Sequence, residues 1–290
     1  MKFLSRYCAV LCVFALTGCI AGVERAPKTI GFAPVIGHDT RAAEESMPFP
    51  EDRTFNVWAT DQYGTAVLAG ETVTHGTAGW MTATPWPESE VLFAAYYPSD
   101  LAPQYIPGHG FIINDFTASS DDVEVLLSYE TTSEEGTDGI QPLHFEHILS
   151  RVDFRVKHSL SGDIEVKAVK AEMIGFGLSG DYNVAGDSRW KVDDTGGRIT
   201  IYEADPSDCI AVDSTPQYIG DQFLVIPQHC KAYIYITFYV RVGGGGWIED
   251  RVSVGPLNTD WQSGKQYTYT MNLIDTKMTY TTGITSWTSK

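Results

Sequence analysis

His144 and His147 stand three residues apart in "HFEH", a spacing that invites a zinc reading. Two imidazoles at that spacing share a face on a helix but lie on opposite faces of a strand. The surrounding "IQPLHFEH" shows no helix pattern, so core or surface histidines are expected and no metal site. The adjacent carboxylates Asp121-Asp122 and Asp193-Asp194 offer an acid and a base, but both pairs sit in turn-like contexts where solvated side chains are the ordinary outcome. "GDYNVAGD" supplies oxygens for calcium without the ordered ligand spacing of a known loop. No G-x-S-x-G elbow, H-E-x-x-H helix or Walker loop occurs. A chain with no catalytic activity, no metal and no cofactor is expected.

The chemistry that the sequence does carry is covalent processing. Lys2 and Arg6 precede an apolar stretch from Tyr7 to Leu16, and Leu16-Thr17-Gly18-Cys19 follows, the pattern of a lipoprotein signal peptide with lipid on Cys19. The stretch is too short to span a bilayer, and no later segment is long and apolar enough to do so. Cys8 and Cys12 leave with the signal. Cys209 and Cys230 remain, and an oxidising compartment permits a disulfide between them, although Cys230 abuts a strand and fits equally as a buried free thiol.

The formal charge of −17 excludes a nucleic-acid partner, because a phosphate-binding surface needs clustered Lys and Arg. About 270 exported residues suffice for two modest domains, each with its own core. Period-two alternation dominates. Strands are expected at Phe55–Asp61, Val91–Tyr97, Val123–Glu130, Ile148–His158, Ile164–Phe176, Arg198–Glu203, Phe223–Ile226, Ala232–Val242, Trp247–Val254 and Gln266–Ile274. In "KQYTYTMNL", Tyr267, Tyr269, Met271 and Leu273 share one face and polar residues the other. Gly243 to Gly246 read as a hairpin loop, since the alternation resumes after them. "ETTSEEGTDGIQPLHFEH" is polar and broken by Gly and Pro, which sets a domain boundary near residue 145. Most aromatics fall on alternating faces that a β core needs. Trp80, Trp86 and Trp190 lie outside the strongest alternation and are the ones open to ligand contact.

The lipobox "LTGC", then "IGFAPVIGHDTRA", "ATPWPESEVLFAAYYP", "HILSRVDFRV", "FLVIPQ" and "WQSGKQYTYTMNL" with a late "ITSW" run in order over nearly the whole chain. In these features the chain resembles the fimbrillin superfamily of Bacteroidales, the type V pilin precursors exported as lipoproteins. The resemblance implies an all-β fold of two transthyretin-like antiparallel β-sandwich domains in tandem. On that plan residues 1–19 are the signal peptide, 20–41 a propeptide with a removable strand, 42–145 an N-terminal sandwich and 146–290 a C-terminal sandwich. It also implies lipidation at Cys19, transport to the outer membrane, and cleavage after a basic residue.

Cleavage is expected after Arg41, with Arg53 and Arg25 as alternatives. The removable strand would carry Ile30, Phe32, Val35 and Ile36, with Pro34 limiting its pairing to an edge. Removal bares an apolar groove and unpaired backbone groups that another extended segment can satisfy. Met278, Tyr280, Ile284 and Trp287 are the donor-strand candidates, and the same tail reads alternatively as the last strand of its own domain. The implied function is a stalk or tip subunit of a cell-surface fimbria, with other fimbrial subunits as partners and a host or bacterial surface ligand as a further one. The alternatives are a fimbrial anchor that keeps its lipid, or a surface lipoprotein that binds glycans.

Overall fold

The computed structural model of the chain describes residues 28–37, 46–118, 124–133, 139–186, 188–193, 195–275 and 277–287. Every regular element among them is a strand. The first ten are β1 (Thr29–Ile36), β2 (Met47–Pro48), β3 (Thr54–Asp61), β4 (Ala66–Gly76), β5 (Gly79–Pro85), β6 (Val91–Tyr97), β7 (Gln104–Ile106), β8 (Gly110–Thr117), β9 (Leu126–Thr132) and β10 (Ile140–His147). There follow β11 (Ser150–His158), β12 (Ile164–Phe176), β13 (Ser179–Asn183), β14 (Trp190–Val192), β15 (Gly197–Glu203) and β16 (Ile210–Val212). The last are β17 (Gln217–Tyr218), β18 (Phe223–Val225), β19 (His229–Val242), β20 (Ile248–Asp260), β21 (Lys265–Ile274) and β22 (Lys277–Ser286).

The chain is all-β, and its first sheet closes on itself. Strands β1, β5, β4, β3, β6, β9 and β10 follow one another, and β10 returns to β1, giving a seven-stranded barrel with β2 added beside β1. Closure removes the free edges that an open sandwich would leave. Alternate residues of each strand point inward, and Ile30, Phe32, Phe55, Phe93, Leu143 and Phe145 meet there in one core.

The second half forms two facing sheets. One runs β17, β11, β21, β22 with β18 also on β11, and the other runs β15, β12, β19, β20 with β16 also on β12. The core between them includes Phe154, Phe238, Trp261, Tyr269 and Met271. Alternation along β19 is nearly complete, with Cys230, Ala232, Ile234, Ile236 and Phe238 buried.

A third, small sheet ties the halves together. Its order is β14, β13, β8, β7, so β8 from before residue 145 pairs with β13 from after it. Around it Phe111, Ile113, Leu127, Ile148, Tyr182, Trp190 and Leu224 form one cluster. Trp190 Nε1 donates to the Ile148 carbonyl at 2.9 Å, and Arg189 Nη1 donates to Tyr129 Oη at 2.6 Å.

One reading of the sequence needs correction. Residues 140–147 are not a connection but strand β10, with Gln141, Leu143, Phe145 and His147 buried. Pro142 is tolerated because β9 pairs with β10 only at Phe145–His147, so the proline lies where the strand is paired on the β1 side alone. The small sheet crosses the expected boundary near 145, pairing β8 with β13.

Candidate functional site

The site is a seam in the barrel, and β1 is the strand that fills it. β1 pairs parallel with β10 from Gly31↔Ile140 to Ile36↔Phe145. On its other side it pairs antiparallel with β5 at Thr29–Phe32 and then with β2 at Val35 and Ile36. Further bonds fasten it: Gly31 N to Gly139 O at 2.8 Å, Gly37 N to Phe145 O at 3.0 Å, and Thr82 Oγ1 to Ile30 O at 3.0 Å.

The alternation of β1 decides what it contributes. Ile30 and Phe32 point inward, 0% and 3% exposed, as does Ile36 at 3%. The Phe32 ring meets Phe55 and Phe93 edge-on, with centroids 6.1 and 5.9 Å apart. Val35 is half-buried on the opposite face, and Pro34 occupies the inward place between Phe32 and Ile36. Pro34 does not mark an edge strand. It sits where β5 gives way to β2, a step in the pairing at which a missing N–H is tolerated, while its carbonyl accepts from Phe49 N at 3.1 Å.

Cys19, Arg25 and Arg41 lie outside the described residues, Arg41 within the connection from β1 to β2. Arg53 is described and is engaged elsewhere. Its Nη1 donates to Glu124 Oε2 at 2.5 Å, and its guanidinium lies 5.2 Å from the Tyr97 ring centroid.

The tail candidates lie on β22, which is antiparallel to β21 over ten pairs and forms the outer edge of its sheet. Met278 is buried and Tyr280 half-buried against the C-terminal core, but Ile284 is 61% exposed. Thr282 and Ile284 wall a 260 Å³ cleft whose other side is Thr259 and Asp260 of β20. Trp287 is buried at the junction of the halves, its ring stacked on His147 at 3.8 Å between centroids. His147 Nδ1 in turn lies 3.0 Å from Glu124 Oε1, and the other oxygen of that carboxylate is the partner of Arg53.

Cys209 and Cys230 are free thiols. Cys209 Sγ donates to Asp205 O at 3.4 Å, and Cys230 Sγ lies 2.7 Å from Thr259 Oγ1 on the neighbouring strand. Burial pushes both thiols up from their ordinary pKa. No group of three or more His, Cys, Asp or Glu able to hold a metal occurs among the described residues. His144 is exposed and His147 buried, on opposite faces of β10. Trp80 and Trp190 belong to cores, and half-buried Trp86 donates its Nε1 to Gly139 O at 2.9 Å, so these tryptophans form no exposed platform.

Sequence reasoning missed β10 as the partner of β1. The signal was present as Gln141, Leu143, Phe145 and His147 at period two, broken by Pro142.

The sequence matches no curated protein. Among solved structures, a fimbrial protein from Bacteroides vulgatus is 15% identical, with a TM-score of 0.68 over 90% of this chain and 99% of that one. A protein described as a cell adhesion protein from Bacteroides ovatus is 16% identical, with a TM-score of 0.56 over 92% and 100%. Another so described, from Bacteroides uniformis, is 16% identical, with a TM-score of 0.54 over 90% and 100%. At these identities the likeness is one of fold. The fimbrillin-like family model matches residues 40–287 and begins just after β1, and on that match the chain belongs to the fimbrillin-like family.

Proposed function

We propose that this structural fimbrial subunit is assembled by removal of β1 and entry of a strand from a neighbour into the vacated seam. The observation that carries the reading is the double pairing of β1, a strand that closes the barrel and precedes Arg41 in the sequence. A cut after Arg41 separates it from everything downstream. Three buried apolar side chains, Ile30, Phe32 and Ile36, contribute roughly 1.5–3 kcal/mol each, so an empty seam is costly and an incoming strand regains that burial. Ordering the incoming strand costs part of the gain.

The donor in this reading is β22. It pairs on one side only, and leaving its place uncovers Met278, half-buried Tyr280 and, just past its end, Trp287 at the junction. The barrel and the facing pair of sheets are, in this reading, the two transthyretin-like units of the family plan. Lipid on Cys19 would carry the precursor to the outer membrane, where trimming frees the subunit for the fimbria.

The test uses precursor lacking the signal peptide, treated under native conditions with a trypsin-like protease. A single cut at Arg41, followed by a ladder of oligomers, is the expected result. An intact monomer after prolonged treatment, or a first cut at Arg53, counts against it.

A further inference from the structure

The sheet of β15, β12, β19 and β20 turns one face to the C-terminal core, and its outer face carries a row of cations and aromatic rings. Along β19, Lys231, Tyr233, Tyr235, Thr237, Tyr239 and Arg241 alternate with the core residues and point outward. From Tyr233 to Arg241 the row runs about 27 Å. The register places Glu172 beside Tyr235 on one flank and Arg251 beside Thr237 on the other. The Tyr233 ring leans over Gly255 of β20, where an added Cβ would stand 2.7 Å from Cδ1, so only glycine leaves it room. Tyr233 is nonetheless 38% exposed. At the far end of the row the Trp247 ring lies under Arg241 and Lys167, 4.6 and 5.1 Å from centroid to charge.

Charge sets this face apart from the rest of a chain that carries −17. From Lys231 to Arg241, with the outward residues paired beside them, six Lys and Arg stand against four Glu, a local balance of +2. The excess is focused on one carboxylate. Arg251 Nη2 lies 3.2 Å from Glu172, Arg198 Nη1 3.4 Å and Lys170 Nζ 3.8 Å. The Glu172 side chain is 12% exposed, whereas those of Arg198 and Arg251 are 62% and 55% exposed. Each guanidinium donates one Nη–H to Glu172 out of five N–H donors, and ion pairs this exposed hold their partners weakly. Both forks therefore have donors for a second carboxylate. Arg251 also lies 4.8 Å from the Tyr235 ring centroid, so the cations and the rings form one surface.

We infer that this face binds an acidic saccharide, a glycan chain bearing carboxylates. Arg198 and Arg251 take a carboxylate, for which the planar guanidinium fork is the matching shape. Tyr233 and Tyr235 meet the apolar faces of the sugar rings, and the long flat row suits an extended chain. A protein partner fits less well, because interface cores are poor in Lys and Glu and this face holds three of one and four of the other. An anionic membrane calls for a polybasic cluster, which the four Glu residues break up. The inference does not depend on strand exchange.

The test is calorimetric titration of the chain without its signal peptide, using an oligogalacturonate, a hyaluronan oligosaccharide, the methyl ester of the oligogalacturonate and poly-glutamate. At least one of the two carboxylated saccharides binds, more weakly as salt rises, and the uncharged ester binds about tenfold more weakly or not at all. Arg198→Gln and Arg251→Gln, made singly so that Glu172 keeps two cations, each weaken saccharide binding by about tenfold. Tyr233→Ala weakens it by about threefold or more and leaves poly-glutamate as in wild type. Circular dichroism checks that each variant unfolds as the wild type does. No binding of either carboxylated saccharide, or wild-type affinity in all three variants, overturns the site. Equal affinity for the methyl ester overturns the role of the arginines, and equal affinity for poly-glutamate overturns the saccharide.

Discussion

Phe32→Ala in the precursor separates a plug from a permanent strand. The ring is 3% exposed and wedged edge-on against Phe55 and Phe93, so truncation leaves a cavity in the barrel core. Losses for such Phe→Ala changes run about 3–5 kcal/mol. For a unit of this size each kcal/mol moves the midpoint by about 2–4 °C, so the barrel transition of the precursor falls by roughly 10 °C. After trimming at Arg41 and assembly, the residue is gone from the seam, and the variant polymer unfolds as wild type does. Scanning calorimetry of both forms reads the two numbers directly. An equal loss before and after trimming would refute the reasoning, because it would mean that β1 never leaves.

Arg41→Gln should abolish trimming with no change in precursor stability, whereas Arg53→Gln leaves trimming intact. Arg53 is about a third exposed, which discounts its ion pair with Glu124 to about 1–2 kcal/mol, read by urea unfolding. Trp287→Ala removes the stack on His147 and should cost about 2–4 kcal/mol in the same assay, mostly at the junction of the halves. Two thiols should titrate after denaturation without reductant, and native Cys209 should alkylate more slowly at pH 8 than a free cysteine, because its raised pKa lowers the thiolate fraction. Burial raises the hydroxyl pKa of Tyr105, Tyr129, Tyr182 and Tyr269. Unfolding then releases protons above the ordinary tyrosine pKa near about 10, so the stability these groups contribute is complete below that pH and declines above it. Absorbance at alkaline pH should show these four ionising only with unfolding.

Strands with a strong apolar or alternating run are legible in the residues alone. Val91–Tyr97 and Ile164–Phe176 have the bounds their side-chain periodicity indicates. The β1 alternation is legible in Ile30, Phe32 and Ile36 but misassigned at Val35, since a run with two adjacent apolar residues does not say which one turns inward until a neighbour fixes the face. β4, β5, β8 and β10 escape a periodicity reading because Gly, Pro and Thr dilute their patterns. β5, β8 and β10 each take one partner distant in sequence, β1, β13 and β1 in turn, and no local propensity announces such pairing. Closure of the first sheet into a ring rests on β1 finding β10, a contact that spans more than a hundred residues. Whether the tail belongs to its own domain cannot be read from "KMTYTTGITS" at all, because an edge strand and a wandering one have the same alternation.

The small sheet shared by the two halves sets how the subunit answers a pull along a filament. In the strand-exchange reading, force that enters the barrel through a captured strand and leaves through the C-terminal half crosses the waist by two routes at once, the β8–β13 hydrogen bonds and the Trp190 anchor on Ile148. A single tether would stretch first and let the halves swing. Here tension must break a ladder and strip an indole from its seat together, so the subunit behaves as a stiff link whose extension comes from rupture and not from bending.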